Sequence, residues 1–372
     1  MKQTAILVLC LVAAVTACSR NPDVTPDAPL APTHTPGEPE FMETPTPTTS
    51  RPSDPLAGLV YSTLEGLWII DYEGQAQFLL DQPDGVLSPD GSQVVYESDY
   101  CPDSDLWIYD VQTGEHRNLT NTPERSEHMP QWWSARDSVI VFLSTRVGGE
   151  CFGYGYPGTV NLNGSEYRIL DESKGGPFAL SPDGETIAFG CCDGPGVLYH
   201  WSEGAKIFDP LDYGANIPKL FKPVWSPDGR QLAWDVGGEM FPDQGWQVSI
   251  AVFDLEAREV RYLHTYTPIG GSEKISQLAW SPDGNWLAYV TQAEVQEAGR
   301  NLTLWVVRAD GLEEHYLGFG SGPVWSPDGQ TLAFTRVADT TPPEYSIWLA
   351  HSDDWESPQQ LFAGTVEGWI EK

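Results

Sequence analysis

The segment PVWSPDGRQLAWD (residues 223–235) contains the tetrapeptide that decides the fold, Ser-Pro-Asp-Gly, called SPDG below. Five identical copies occur along the chain, and a diverged sixth copy, SARD (residues 134–137), follows Trp132 and Trp133. Measured from serine to serine, the steps are 46, 47, 45, 55 and 45 residues. A period in this range is typical of propeller, solenoid or array architectures. The five intact copies begin at Ser88, Ser181, Ser226, Ser281 and Ser326.

The chemistry of SPDG predicts a tight turn between two antiparallel strands. Proline presets φ for the second position of a turn, and serine and aspartate side chains can bond nearby backbone groups. Glycine supplies the positive φ with which the chain turns back. The runs that follow each copy, such as QVVYES (residues 93–98) and NWLAYV (residues 285–290), alternate apolar and polar residues as strands do.

Each repeat unit is predicted to contain four strands. In the second unit they are GVLS (residues 85–88), QVVYES, DLWIYD (residues 105–110) and EHRNLT (residues 115–120). Four strands in roughly 45 residues is the pattern of a β-propeller blade. Helical repeats of similar period need a 3.6-residue rhythm, whereas this chain contains 31 prolines and 36 glycines. The sequence therefore predicts an all-β propeller.

The number of blades depends on the two ends of the repeat region. Six turn motifs suggest six blades, with an irregular start. Residues 58–80, however, match the last three strands of a unit, and residues 365–372 resemble a lone first strand with Trp369 in the usual tryptophan place. Pairing these ends would complete a seventh blade and remove exposed sheet edges. We therefore favour seven blades, closed by the C-terminal strand.

The repeats resemble a known family. LTNTPERSEHMPQWWS (residues 119–134) and the five SPDG copies with their apolar flanks are similar to the repeats of TolB-like propellers, a variant of WD-type repeats. Similar repeats occur in the propeller domains of prolyl oligopeptidase-like peptidases. The resemblance covers residues 58–372 and implies a ring whose channel and loop faces bind proteins or peptides. Function does not follow from the fold alone.

The N-terminus predicts export. Lys2, a short apolar run and Thr-Ala before Cys18 describe a signal peptide over residues 1–17, too short for a spanning helix. Val15-Thr16-Ala17-Cys18 also resembles a bacterial lipobox, in which the cysteine becomes the lipidated first residue. An ordinary signal peptide with a coincidental cysteine is the alternative. We expect an exported protein, lipid-anchored on the outer side of the cell membrane.

Residues 18–56 are predicted to be a disordered linker, and residues 57–372 the propeller. The linker is rich in Pro and Thr and has almost no aliphatic residues, so it cannot bury enough apolar surface to fold. Extended at about 3.1 Å per residue, it would reach roughly 100 Å from a membrane. It is either a spacer through an envelope layer or a flexible tail.

The charge of the chain excludes one class of partner. The formal net charge is −33, and most of it falls on the repeats. Such a protein repels nucleic acid phosphates and anionic lipid surfaces. The charge serves solubility, or it attracts a basic partner or a cation such as calcium. No EF-hand pattern occurs, although Asp99, Asp103 and Asp105 cluster in one predicted loop.

Four further cysteines are Cys101, Cys151, Cys191 and Cys192, each just after the second strand of its unit. Equivalent loops of neighbouring blades share a face, so these thiols are expected to lie close together. Disulfides are the usual outcome in an exported protein, and four cysteines allow three pairings. We favour Cys101–Cys151 with Cys191–Cys192. A metal site is the alternative, although the usual zinc spacing is absent.

No catalytic constellation is recognisable in the sequence: G-x-S-x-G, H-E-x-x-H and phosphate-binding glycine motifs are missing. First strands line the axis of a propeller, so polar residues just before each SPDG turn are candidate ligand contacts. They are Asp84, His128, Lys222 and Gln277. We expect a monomeric scaffold that binds a protein or peptide in the cell envelope. The alternative is an enzyme, a lyase or hydrolase acting on sugars or peptides in the channel.

Overall fold

The structure is a computed structural model. It describes residues 54–98, 104–133, 135–136, 138–146, 155–170, 176–189, 197–201, 206–208, 222–238, 247–266, 274–292, 302–338, 340 and 343–370. Several residues of the sequence predictions lie outside these ranges, namely Cys18, Asp99, Cys101, Asp103, Cys151, Cys191 and Cys192. The signal peptide, almost all of the linker and residues 239–246 also lie outside them. Lipidation and disulfide pairing therefore stay predictions.

The described residues form strands and turns, and no helix among them could span a membrane. In chain order the strands are β1 (Leu59–Thr63), β2 (Gly66–Ile70), β3 (Ala76–Leu80), β4 (Val86–Leu87), β5 (Gln93–Glu97), β6 (Leu106–Asp110), β7 (His116–Asn118), β8 (Arg125–Trp132), β9 (Val139–Arg146), β10 (Tyr156–Asn161), β11 (Arg168–Ile169), β12 (Phe178–Leu180), β13 (Thr186–Phe189), β14 (Val197–His200), β15 (Lys206–Phe208), β16 (Val224–Trp225), β17 (Gln231–Gly238), β18 (Gln247–Asp254), β19 (Glu259–Tyr266), β20 (Lys274–Trp280), β21 (Trp286–Gln292), β22 (Leu302–Arg308), β23 (Glu314–Phe319), β24 (Ser321–Trp325), β25 (Thr331–Val337), β26 (Tyr345–His351), β27 (Asp354–Ala363) and β28 (Thr365–Trp369).

Seven four-stranded antiparallel sheets form the blades of a propeller. Six follow the chain, as β4-β5-β6-β7 does, and the seventh has the order β28-β1-β2-β3. In that closing blade Leu59 pairs with Trp369 and Ser62 with Thr365. The seven-blade prediction is confirmed, as is closure by the C-terminal strand. We number this closing blade 1 and the others 2 to 7 in chain order.

Each intact SPDG copy forms the same hydrogen-bonded turn. In blade 5, Ser226 Oγ donates to Asp228 Oδ1 at 2.6 Å and accepts the Gln231 amide at 2.9 Å. The Gly229 amide donates to the Ser226 carbonyl, and Gly229 has φ of +69°. The Ser226 hydroxyl holds the pKa of Asp228 below its usual range. The turn is therefore closed by its own side chains, and its glycine is required by a positive φ.

The core lies between the blades. Within the described residues, one cluster of buried apolar side chains fills each of the seven interfaces between neighbouring blades. At the interface of blades 2 and 3, Val95 and Ile108 pack against Ile140 and Phe142. Burying a side chain of this size contributes roughly 1.5–3 kcal/mol, so each blade depends on both of its neighbours.

The diverged turn of blade 3 shifts the repeat tryptophan by one residue. Trp225 and Trp325 donate their indole N–H to a carbonyl of the preceding blade, at Ala179 and Ala279. In blade 3 Trp132 makes the corresponding bond, to Val86 O. Trp132, and not Trp133, is therefore the repeat tryptophan. The physical reason is an extra residue in the diverged turn, which turns Trp133 to the other side, where it donates to Ser181 O.

Candidate functional site

The two faces of the ring differ. Each SPDG turn joins the first strand of a blade to the second, so these turns define one face, called the turn face. The first strands begin on the opposite face, called the loop face, where the connections between blades also run. Asp84 and Lys222 lie two residues before β4 and β16, and Gln277 lies inside β20. The predicted contacts are thus grouped at the loop-face mouth of the central channel.

A bulge marks this mouth in several blades. Three residues before the repeat tryptophan, the backbone is left-handed at Met129, Lys222, Gln277 and Gly322, with φ between +47° and +62°. The pairing registers of β8, β20 and β24 shift at the same place. Bulges re-aim side chains and free backbone groups from the ladder. Counting back from Leu87 in the same way gives Asp84, so three of the four predicted contacts share one repeat position.

The amides freed by the bulges are bonded by side chains of the preceding blade. Gln277 Oε1 accepts the Gly322 amide at 2.7 Å, and Thr335 Oγ1 accepts the Val366 amide at 3.0 Å. Glu97 Oε1 accepts the Met129 amide at 2.8 Å. These bonds link the first strand of a blade to the first or second strand of the preceding blade. Gln277 therefore joins two blades in addition to lying at the mouth. The sequence could not indicate this structural role.

His128 occupies a different environment from the other three predicted contacts. It precedes the bulge position by one residue and is buried, with 8% of its surface exposed. Its Nδ1 lies 3.0 Å from Glu97 Oε2, and its Nε2 is buried with no hydrogen-bond partner. Glu97 thus holds both the ring of His128 and the amide of Met129. Since β5 ends at Glu97 on the loop face, this pair forms one wall of the mouth.

Asp84 lies beside a carboxylate that the sequence analysis missed, Glu367 of β28. Ser62 Oγ donates to Glu367 Oε1 at 2.5 Å. Surrounding protein raises the pKa of Glu367 to about 7, and the charge of Asp84 adds to the rise. Glu367 is nevertheless open to solvent. Both observations fit a side chain in a channel, where water reaches the carboxylate but protein encloses it on most sides.

The mouth therefore carries three carboxylates, those of Glu97, Asp84 and Glu367. Lys222 of blade 5 is exposed at the equivalent position. Glu367 stands two residues before Trp369, where the other first strands carry apolar or small residues, and that contrast could have identified it. Glu97 lies on a second strand, and no sequence signal points to the axis from there.

A further carboxylate with a raised pKa, Glu127, is structural. Glu127 is fully buried and accepts hydrogen bonds from Thr122 Oγ1 at 2.7 Å and Tyr167 Oη at 2.8 Å. Burial raises its pKa, and burial likewise raises the pKa of Tyr167. The bond from Tyr167 lies within blade 3, and the bond from Thr122 holds the connection that enters this blade. In the part of the chain that the structure describes, no group of three or more potential ligands is placed to hold a metal ion.

Comparison with protein families gives one match, to the dipeptidyl peptidase IV (DPP IV) N-terminal region, over residues 244–361. A curated relative, a probable dipeptidyl-aminopeptidase B of Metarhizium robertsii, is 25% identical over 234 residues. That alignment covers 58% of this chain and 24% of the fungal protein. The chain therefore spans about a quarter of the length of that relative.

Solved propellers resemble the chain at low sequence identity. An oligogalacturonate lyase in complex with manganese aligns with a TM-score of 0.54 and 17% identity, over 81% of this chain and 83% of the lyase. TolB from Acinetobacter baumannii aligns with a TM-score of 0.47 and 15% identity, over 84% of this chain and 66% of TolB. The similarity to the lyase shows the fold alone. The chain is a seven-bladed β-propeller.

Proposed function

We propose that this chain is an exported, lipid-anchored β-propeller that binds a basic segment of a protein or peptide partner at the mouth of its channel. The observation that carries the proposal is the group of carboxylates at that mouth, Glu97, Asp84 and Glu367. Proposed contacts are these three residues together with His128, Lys222 and Gln277.

Electrostatics favour a cationic partner segment. Enclosure by protein raises the pKa of Glu367 to about 7, and repulsion by the charge of Asp84 adds to the rise. A lysine or arginine side chain of the partner would relieve that repulsion. The net charge of −33 would also steer a basic partner toward the protein from a distance. Binding is therefore expected to weaken with added salt.

The mouth is tested with a charge-neutralising pair, Asp84→Asn with Glu367→Gln. Partner recovered from an envelope extract by the parent protein should be lost with this pair. The matched control, Glu256→Gln with Asp353→Asn, removes the same charge from exposed residues away from the mouth. Equal recovery by both double variants would reject the mouth as the binding surface.

Membrane anchoring is tested separately. Cys18→Ala should move the protein from the membrane to the soluble exported fraction, because a lipidated cysteine supplies the apolar chains that hold it. Cys10→Ala, inside the predicted signal peptide, is the control and should not change the fractionation. Unchanged membrane fractionation of Cys18→Ala would reject the anchor and leave the binding proposal intact.

An enzyme that uses the channel is the second candidate, and one observation favours it. A carboxyl group that titrates near neutral pH, as Glu367 does, suits general acid–base chemistry. Dipeptides, peptides and neutral or anionic oligosaccharides would be assayed with the parent protein and with Glu367→Gln. Turnover that disappears in Glu367→Gln would favour the enzyme, whereas absence of turnover would leave the binding proposal.

A further inference from the structure

A second candidate site lies on the turn face, between blades 5 and 6. The cavity there has a volume of about 770 Å³. The SPDG turns of the two blades form its rim, and the side chains of Arg261 and Trp280 form its walls. It lies at the opposite face from the channel mouth, so it is independent of the function proposed above.

The cavity coincides with an irregularity in the repeat. Repeat tryptophans donate their indole N–H to a carbonyl of the preceding blade at 2.7–3.2 Å in three interfaces, through Trp132, Trp225 and Trp325. In the same register Trp280 would donate to Val224 O. Instead, its Nε1 is shielded from solvent and has no hydrogen-bond partner. Buried donors are normally paired, so this interface lacks a bond that those three interfaces make.

The walls of the cavity combine an apolar surface with donors and acceptors. Trp280 and the rings of Pro227 and Pro282 supply the apolar surface. Arg261 is held across the groove, with Nη1 donating to Ala309 O at 2.5 Å and Nη2 to Gln231 Oε1 at 2.9 Å. Burial lowers the pKa of Arg261, against the opposing charges of Asp254 and Asp310.

Three carboxylates complete the walls, those of Asp228, Asp283 and Asp310. Asp310 is paired with Arg308, whose Nη2 lies 2.8 Å from Asp310 Oδ2. Asp228 receives its bonds from Ser226 and the Arg230 amide at Oδ1, so Oδ2 can accept from a ligand. The site therefore offers Asp228 Oδ2 as an acceptor and Arg261 as a donor, beside the ring of Trp280.

This set of groups discriminates among ligand classes. A cationic side chain would be repelled by the positive charge of Arg261. An anionic ligand, such as a uronate chain, would meet three carboxylates. A neutral sugar ring presents hydroxyls that both donate and accept, and an apolar face that packs on an indole. We propose that the groove between blades 5 and 6 binds a neutral saccharide chain.

The test follows the indole N–H resonances of the full chain by NMR, with the Trp280 signal assigned from its loss in Trp280→Phe. Titration with cellotetraose and with tetra-N-acetylchitotetraose should shift the Trp280 signal for at least one of the two. Tetragalacturonate should leave it in place. Absence of a shift with both neutral sugars, or an equal response to tetragalacturonate, would overturn the proposal.

A filling variant locates the site. Gln231→Trp places an indole in the groove and should weaken saccharide binding at least tenfold. Gln93→Trp makes the same change at the same repeat position of blade 2 and should bind as the parent does. If Gln231→Trp does not fold, Asp228→Asn replaces it, with Asp328→Asn of blade 7 as its control. Unchanged affinity in the folded groove variant would overturn the assignment.

Discussion

Two neighbouring blade interfaces are built by the same repeat but differ at the turn face. One is filled by side chains, and the other contains a cavity. Between blades 6 and 7, Trp286 packs edge-on against Trp355 with ring centroids 5.4 Å apart, and Trp325 does so at 5.9 Å. Trp355 is buried, with 5% of its surface exposed. Between blades 5 and 6, the corresponding space is a cavity of about 770 Å³.

Substitutions at equivalent positions account for the difference. Trp286 stands five residues after its SPDG serine, where blade 5 has Gln231. His315 pairs with Val306 in the ladder, as Arg261 pairs with Val252, and His315 contacts both Trp286 and Trp355. The backbone frame is therefore constant, and a few side chains decide whether an interface becomes core or binding surface.

Opening the ring would affect every interface at once, and we expect this change to have the largest effect. Deleting residues 365–372 removes β28, the bonds of Trp369 Nε1 to Ala57 O and of the Ile370 amide to Gly58 O, and buried Val366. The shortened chain should melt far below the parent or aggregate, because the edge of β1 is exposed. If calorimetry gives the shortened chain the melting temperature of the parent, closure of the ring by β28 does not stabilise the blades.

Removing a large side chain from the filled interface between blades 6 and 7 should have the next largest effect. Trp355→Ala is expected to lower the free energy of unfolding by roughly 3–5 kcal/mol, since a buried tryptophan leaves a cavity. Leu312→Ala, in a turn of blade 6 where the side chain is 80% exposed, is the control and should cost less than about 0.5 kcal/mol. Denaturant titration checks both, and similar losses would mean that Trp355 is not core.

The SPDG turns of blades 5 and 7 border the two interfaces, and equivalent substitutions in them should lower stability by similar amounts. Ser226→Ala and Ser326→Ala each remove a hydroxyl that donates to an aspartate at 2.6 Å and accepts an amide at 2.9 Å. We expect each change to lower the free energy of unfolding by about 1–3 kcal/mol, as the amide and carboxylate lose a partner. The same denaturant titration applies. If the two losses in the free energy of unfolding differ by more than about 1 kcal/mol, the two turns are not equivalent.

The repeat made the fold predictable, whereas the sites depend on contacts that no repeat encodes. SPDG turns, strand positions and ring closure all follow from residues 58–372. The missed carboxylate Glu367 reaches the mouth because β28 pairs with β1, some 300 positions earlier in the chain. The groove at Trp280 is visible only when its indole is compared with those of other blades in three dimensions. The position directly before SARD favours Trp133 as the repeat tryptophan, whereas the structure assigns Trp132, because the diverged turn contains one extra residue.

The proposed function depends most directly on how Glu367 titrates. Its pKa, about 7, results from enclosure by protein and from the charge of Asp84, so Asp84→Asn should lower it. The pKa of Glu367 is higher in the folded state than in the unfolded state. The free energy of unfolding therefore decreases as pH rises from the unfolded pKa through 7. A bound cation favours the carboxylate, so a basic peptide should lower the pKa and bind better above pH 7 than below it.

The decisive measurement is the carboxyl carbon shift of Glu367 followed by NMR against pH, with Glu367→Gln for assignment. It is made on the free protein and on protein saturated with a tetralysine peptide. The account predicts a midpoint near 7 in the free protein and a lower midpoint with the peptide. A midpoint in the ordinary range of glutamate without peptide, or one that tetralysine does not move, would contradict a cation-binding mouth.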